Sequence, residues 1–236
     1  MNYLKKFRPT KGLLIIMAAL FIQSCQKEET LTITEEDIAD VVTASLESET
    51  GGLAYEFSMK TAYIFEDSDE LSCANTVTMS KTFVKSSGVR TGQFIYNWEV
   101  LKNCSEAVAS ISWTGNYNGT FETPRLSGTT SGSRNWTISG IETSNNILSL
   151  NGTFIRNGSH TSKVRQRRSF VTEISFEFGD IAVNKATKEI QSGVGALQVS
   201  INASDGASRK VTGTIAFNGN GSATLLINGK TYIITI

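Results

Sequence analysis

Beyond residue 75 apolar side chains recur at every second position, and this alternation constrains the fold more than any other feature of the chain. Phe94, Tyr96, Trp98 and Val100 alternate with Ile95, Asn97, Glu99 and Leu101, and Ala107, Ala109, Ile111 and Trp113 continue the rhythm. Period two is the spacing of one face of a β-strand. Residues 102–106 between these runs read as a hairpin connection, which puts Cys104 at a sheet end. Trp136 with Ile138, and Leu148 with Leu150 and Phe154, mark further faces. Phe170, Thr172, Ile174, Phe176 and Phe178 form the clearest strand, with Glu173, Ser175 and Glu177 on its other side. Four more stripes follow: Leu197-Val199-Ile201, Val211-Ile215-Phe217, Ala223-Leu225-Ile227 and Tyr232-Ile234-Ile236.

The punctuation fits hairpins. Asn157-Gly158, Asn218-Gly219-Asn220-Gly221 and Asn228-Gly229 are residues that tolerate the positive φ of tight turns. Strands joined in this way run antiparallel and in order. Their outward positions are Ser, Thr and Asn, so one face is wet, which argues against a doubly wound α/β sheet. Nine to eleven strands are expected, and a flat sheet of that size is strained by its own twist.

Before residue 75 the period is helical. Thr34 precedes Glu35, Glu36 and Asp37, a hydroxyl and three negative charges suited to a helix N-terminus. Ile38, Val41, Val42, Ser45 and Leu46 predict an amphipathic helix over 35–48, ended by Gly51-Gly52. Leu53, Phe57, Thr61, Ile64 and Phe65 fit a second helical stripe, although residues 63–65 also suit an extended chain. The expected fold is mainly β (α+β): one or two N-terminal helices packed on a large curled antiparallel β-meander, barrel-like or two-layered, in a single domain over 34–236.

The N-terminus sets the compartment. Lys5, Lys6, Arg8 and Lys11 precede an apolar run at 13–22, much shorter than the roughly twenty residues a membrane-spanning helix needs. It ends in Ile22-Gln23-Ser24-Cys25, which resembles a bacterial lipobox. That resemblance implies cleavage after Ser24, acylation of Cys25 and attachment to a membrane through the N-terminal lipid. Residues 1–24 are then the signal peptide and 25–33 a lipidated tether. Gln26-Lys27-Glu28-Glu29 resembles the surface-export signal of Bacteroidota lipoproteins, so the outer membrane is expected, with the cell surface favoured over its periplasmic face.

Without the signal peptide, 212 residues carry 18 basic and 22 acidic side chains. This balance gives no reason to expect nucleic acid. The acids concentrate early: residues 25–122 hold 16 acidic and 6 basic side chains, and 123–236 hold 6 and 12. Cys73 and Cys104 remain after Cys25 is lipidated, and in an oxidising compartment a disulfide is the natural reading, with a metal pair or catalytic thiol as the competing one.

Chemistry is poorly represented. His160 is the only histidine, expected in an exposed turn after Asn157-Gly158, with no metal-ligand spacing around it. The acidic run at 66–70 has oxygens for calcium but lacks the glycine and final glutamate of a helix-loop-helix calcium site, so a solvated turn is expected. Glu173 and Glu177 lie roughly 13 Å apart along one strand, too far for either glycosidase geometry. No cofactor-binding pattern, metal site or catalytic residue is assigned. Lys163, Arg165, Arg167 and Arg168 are the candidate ligand or anion-binding residues, the first three expected on one outward side; they bind an anionic glycan, lipid headgroup or envelope protein, or pair with acids of a neighbouring strand or the N-terminal helices. Trp98, Trp113, Trp136 and Tyr117 suit a stacking platform for sugars, but their phase with core aliphatics favours packing.

Residues 115–126 (Gly-Asn-Tyr-Asn-Gly-Thr-Phe-Glu-Thr-Pro-Arg-Leu), Asn151-Gly152-Thr153-Phe154, Ser162-Lys163-Val164-Arg165 and residues 219–232 together resemble a group of uncharacterised Bacteroidota lipoproteins over most of 34–236. The resemblance implies compartment and overall kind, and brings no catalytic residue. The favoured expectation is a non-enzymatic envelope lipoprotein acting as a binding or structural module. A carrier or chaperone for a lipid or other hydrophobic ligand comes next, and an envelope hydrolase third.

Overall fold

In the computed structural model, which describes residues 32–66, 71–104, 109–141, 146–165 and 167–236, the helix predicted after Thr34 spans Glu35–Leu46 (α1). Thr34 caps it reciprocally. Its Oγ1 accepts from Asp37 N at 3.1 Å, and its own N donates to Asp37 Oδ2 at 3.0 Å, so two amides that a helix start would leave unpaired are satisfied. A single 3-10 turn, Ser48–Thr50, leads to Gly51, whose φ of 62° is left-handed. Tyr96 Oη donates to the Gly51 carbonyl at 2.9 Å, and a Cβ at Gly51 would lie 2.5 Å from that hydroxyl oxygen. Glycine is therefore required both by the turn and by the ring pressed on it. Leu53–Glu66 forms α2. Within its expected stripe Leu53, Phe57, Thr61 and Ile64 are buried, but Phe65 is 41 % exposed, because the helical period has rotated it off the packed face.

The remainder is one antiparallel sheet of ten strands in sequence order: β1 Thr76–Ser87, β2 Arg90–Cys104, β3 Ala109–Glu122, β4 Leu126–Ser139, β5 Ile147–Ser162, β6 Ser169–Asn184, β7 Ile190–Ala203, β8 Ser208–Gly219, β9 Ser222–Ile227 and β10 Lys230–Thr235. The expected meander is thus present, and the sheet is open: β1 pairs only with β2, and β10 only with β9. Among the described residues no helix is long and apolar enough to cross a membrane.

The sheet wraps around the helices. On α2, Phe57 packs edge-on against Trp136 of β4 with ring centroids 5.0 Å apart, while Tyr55 meets Phe83 of β1 at 4.0 Å and Tyr63 meets Trp113 of β3 at 5.5 Å. On α1, Glu35 reaches Arg209 of β8 at 2.5 Å and Lys230 of β10 at 3.5 Å. One helical pair touching strands from β1 to β10 lies in the hollow of a curled sheet, so its apolar faces and the inward stripes of the strands make a common core. Inward glycines let rings lie flat on neighbouring strands. Gly132 pairs with Tyr117, and a Cβ there would meet the Tyr117 ring at 2.5 Å, so a larger residue would displace the ring or bend the strand.

One predicted turn is a strand interior. Asn157-Gly158 lies within β5, and His160 is buried there at 3 % exposure. The pairing of β5 with β4 and β6 runs through this dipeptide; two flanking strands override a local turn preference. The actual β5–β6 connection falls at residues 163–168. Cys73 and Cys104 form the expected disulfide, with Cα atoms 5.5 Å apart, tying the segment after α2 to the end of β2. The described end of the expected tether is fastened too: Ile33 is buried, its carbonyl accepts from Arg209 at 2.7 Å, and Thr32 O accepts from Arg168 at 3.0 Å.

Candidate functional site

Edge strand β1 presents Val77, Met79, Lys81, Phe83 and Lys85 toward the helices by its period of two. The corresponding row on β2, Phe94, Tyr96, Trp98 and Val100, is buried throughout, yet Lys81, paired with Tyr96, is exposed. Here α2 does not cover the sheet. The result is a pocket of about 500 Å³ between α2 and β1, within the roughly 300–1,000 Å³ of small-molecule sites. Met59, Ala62 and Tyr55 of α2 form one wall, Met79 the opposite one, and Trp98 and Trp113 the floor; Lys81 and Lys188, in the β6–β7 connection, stand at its edge. Trp98 Nε1 and Trp113 Nε1 are both buried without an acceptor. Apolar walls with the exposed Lys81 ammonium at the edge match a ligand with an apolar body and a negatively charged end.

A larger depression of about 650 Å³ lies on the outer face of β3 to β7, lined by Asn118, Thr120, Ser131, Asn157, Ser159 and Asn202. Apart from Glu173 and Val171 its walls are short neutral polar side chains, which give little apolar contact and a single, negative charge.

Beneath the pocket, the inner side of α2 carries charge into the core. Lys60 Nζ donates to Glu56 Oε2 at 2.9 Å, and Arg134 Nη1 meets Glu56 Oε1 as an ion pair, all three side chains being fully buried. Burial pulls the Lys60 ammonium down to about 8, against the pull of Glu56; its Nζ also lies 5.4 Å from the Trp136 ring centroid. The Arg134 guanidinium is 4.5 Å from the Tyr117 ring and 5.1 Å from that of Tyr96. Arg156, 1 % exposed, donates from Nε to Thr130 Oγ1 at 3.0 Å and from Nη2 to the Thr50 carbonyl at 3.2 Å. His160 Nε2 lies 2.8 Å from Thr172 Oγ1, and burial, then Arg156, holds its pKa down to about 3. It is a neutral core imidazole rather than the exposed turn residue expected.

The basic cluster is dispersed by the fold. Lys163, Arg165, Arg167 and Arg168 belong to a turn, not to one strand face, and Arg165 and Arg167 have φ of 52° and 50°. Lys163 pairs with Glu122 at 2.6 Å, Arg165 with Asp37 at 2.7 Å and with Asp40, and Arg168 with Asp205 at 2.9 Å. Arg125 also reaches Asp40, at 2.6 Å. Three of the four thus serve the ion-pairing alternative, fastening acidic α1 and neighbouring turns, and Arg167 alone among them is exposed without an ion pair in the described structure. Trp98, Trp113, Trp136 and Tyr117 are all buried, so no external stacking platform forms. Glu173 and Glu177 are on the outer side of β6, as the alternation requires.

Cys25 and Asp67, Asp69 and Glu70 of the acidic run lie outside the described residues. Within the described ones no group of three or more His, Cys, Asp or Glu is placed to hold a metal ion. The buried charges were legible in principle. Arg134 is in phase with Trp136 and Ile138, Arg156 with Phe154, and Lys60 follows Glu56 by one helical turn. The pocket had no sequence signal, since it arises where a helix fails to cover an edge strand. Comparison of the chain with protein-family models, with curated proteins and with solved structures gives no match, so the site is read from its own geometry.

Proposed function

We propose that this protein is a lipoprotein of the bacterial outer membrane, of the uncharacterised Bacteroidota kind, anchored through Cys25 and facing the cell surface, whose β domain binds a single-chain amphiphile with an anionic head. The observation that carries the binding reading is Lys81, a cation on the inward side of β1, beside a pocket walled by Met59, Met79, Trp98 and Trp113. The apolar walls suit an acyl chain, while Lys81 at the pocket edge suits a carboxylate or phosphate. This makes the domain a carrier or sensor of such ligands. The lipobox residues Ile22 to Cys25 and the Lys27-Glu28-Glu29 segment support the anchor and its outward face.

Native mass spectrometry of the protein titrated with oleate tests the reading. One bound oleate per chain is expected, abolished by Ala62→Trp, which fills the pocket, and weakened by Lys81→Glu. An unchanged spectrum at saturating oleate, or equal binding by Ala62→Trp, overturns it. Metabolic labelling with palmitate, lost in Cys25→Ser, tests the anchor separately, and protease accessibility on intact cells tests the face.

A further inference from the structure

We infer that the core contains a binding site for a small monovalent anion, a halide or a short carboxylate, between Arg134, Arg156 and Tyr117. Three cationic side chains, Lys60, Arg134 and Arg156, lie in this interior against one carboxylate, that of Glu56. The two arginines alone outnumber the acid, and guanidinium groups do not shed their charge to escape burial. Glu47, the next acid toward Arg156, is held by Arg90 at 2.9 Å, and His160 is neutral. An uncompensated buried charge is among the most unfavourable features a folded protein can carry.

Hydrogen bonding points to the same occupant. Nε and Nη2 of Arg134 and Nη1 of Arg156 are buried without a hydrogen-bond partner, and the Tyr117 hydroxyl has only Thr130 near it. Almost all these orphans are donors. Of the unpartnered atoms that can accept, Glu56 Oε1 already faces Arg134 Nη1 as a charge, and His160 Nδ1 belongs to a neutral imidazole that cannot balance a guanidinium. A water molecule would need acceptors for its own two protons, whereas an anion takes several N–H and O–H groups and donates nothing.

Register brings the donors together. Tyr117 of β3, Gly132 of β4 and Arg156 of β5 are cross-strand partners in one row. Gly132 has no side chain, and the Tyr117 ring lies in the space its Cβ would fill, while the Arg156 guanidinium lies 5.1 Å from the Phe121 ring. Arg134 stands two residues along β4 on the same face, at the diagonal spacing of roughly 7–8 Å from Arg156 that long side chains bridge. This interior is separate from the pocket at Lys81, and its anion does not depend on the amphiphile reading.

The test is to refold the protein in bromide and, at equal ionic strength, in methanesulfonate, then to collect diffraction at the bromine edge. The expected result is one anomalous peak in contact with Arg134, Arg156 and Tyr117, with a melting temperature that rises roughly 3–6 °C per tenfold increase in bromide above half-saturation. Arg156→Met should flatten that dependence; if this variant does not fold, the wild-type peak decides. A rise with formate but not bromide keeps the site and assigns it to a short carboxylate. Absence of a peak together with indifference to both anions, or a dependence unchanged in Arg156→Met, overturns the inference.

Discussion

Arg165 Nε donates to Asp37 Oδ1 at 2.7 Å across 128 residues of sequence, and its Nη2 takes Asp40 one helical turn on. The same Asp37 caps α1 through Thr34. One guanidinium in the β5–β6 turn therefore grips the first turn of α1 at the carboxylate that also holds the helix start together. Arg125 in the β3–β4 connection, Arg209 of β8 and Lys230 of β10 reach the same helix, so the charge asymmetry between the two halves of the chain is the means by which α1 is seated on the sheet.

Replacing Arg165 separates this contact from its backbone cost. Arg165→Ala loses the ion pairs but still holds a left-handed φ of 52°, whereas Arg165→Gly loses the pairs and is at ease there. Urea unfolding should show Arg165→Ala less stable than wild type by about 1 kcal/mol or more, and Arg165→Gly closer to wild type by roughly 1 kcal/mol. Equal stability of the two variants would refute the backbone argument.

The interior charge predicts an asymmetry between two neighbours on α2. Glu56→Gln removes the one carboxylate among the described residues that pairs with Lys60 and Arg134, and should cost about 3–5 kcal/mol. Lys60→Met fills similar volume and lowers the surplus of positive charge, so it should fall within about 1.5 kcal/mol of wild type or exceed it. Thermal denaturation at neutral pH ranks the two variants.

His160 makes the fold acid-sensitive in a defined window. Its pKa is about 3 in the folded protein against an ordinary 6.5, so the unfolded chain binds a proton that the folded one refuses. Its contribution is complete above pH 6.5 and is lost as the pH falls toward 3, a difference on the order of 5 kcal/mol. Glu35, held down to about 2 first of all by its hydrogen bond from Arg209, adds a loss only below its ordinary 4.5. A His160→Gln variant should therefore flatten the stability profile between pH 6.5 and 4.5 while leaving the steeper fall below that range. An unchanged slope between 6.5 and 4.5 would contradict the burial of a neutral imidazole.

Reduction of Cys73–Cys104 opens a crosslink between residues 31 apart. In the chain-entropy model this should destabilise the domain by about 3–4 kcal/mol, read as a lower urea midpoint under dithiothreitol. Cys73→Ser together with Cys104→Ser should reproduce the shift and abolish the response to reductant.

The strands were readable because one face of each is buried and the other wet, so Phe94 to Val100 and Phe170 to Phe178 carry their orientation in their spacing. The same rule marks Arg134 and Arg156 as buried charges, because they occupy inward phases, whereas the run at 163–168 is the more visible cluster in the sequence. The place of that cluster hangs on one turn. Asn157-Gly158 reads locally as a turn but lies within β5, and with the turn at 163–168 the basic residues leave the strand face and His160 enters the core. Residue preferences near a turn are worth about 1 kcal/mol or less, and the paired strands β4 and β6 outweigh them.

By itself the sequence determined the antiparallel order, the capped helix after Thr34 and the inward stripes, because each follows from local periodicity or short connections; it favoured a Cys73–Cys104 disulfide, and the fold brings the two together. Only the tertiary structure decided that the ten strands curl without closing, that α1 and α2 occupy the hollow, and that Lys81 borders a pocket while Arg134 and Arg156 lie in a core short of acceptors. Those outcomes depend on twist accumulated over many strands and on which surfaces the helices leave uncovered, and neither quantity belongs to any single segment of the chain.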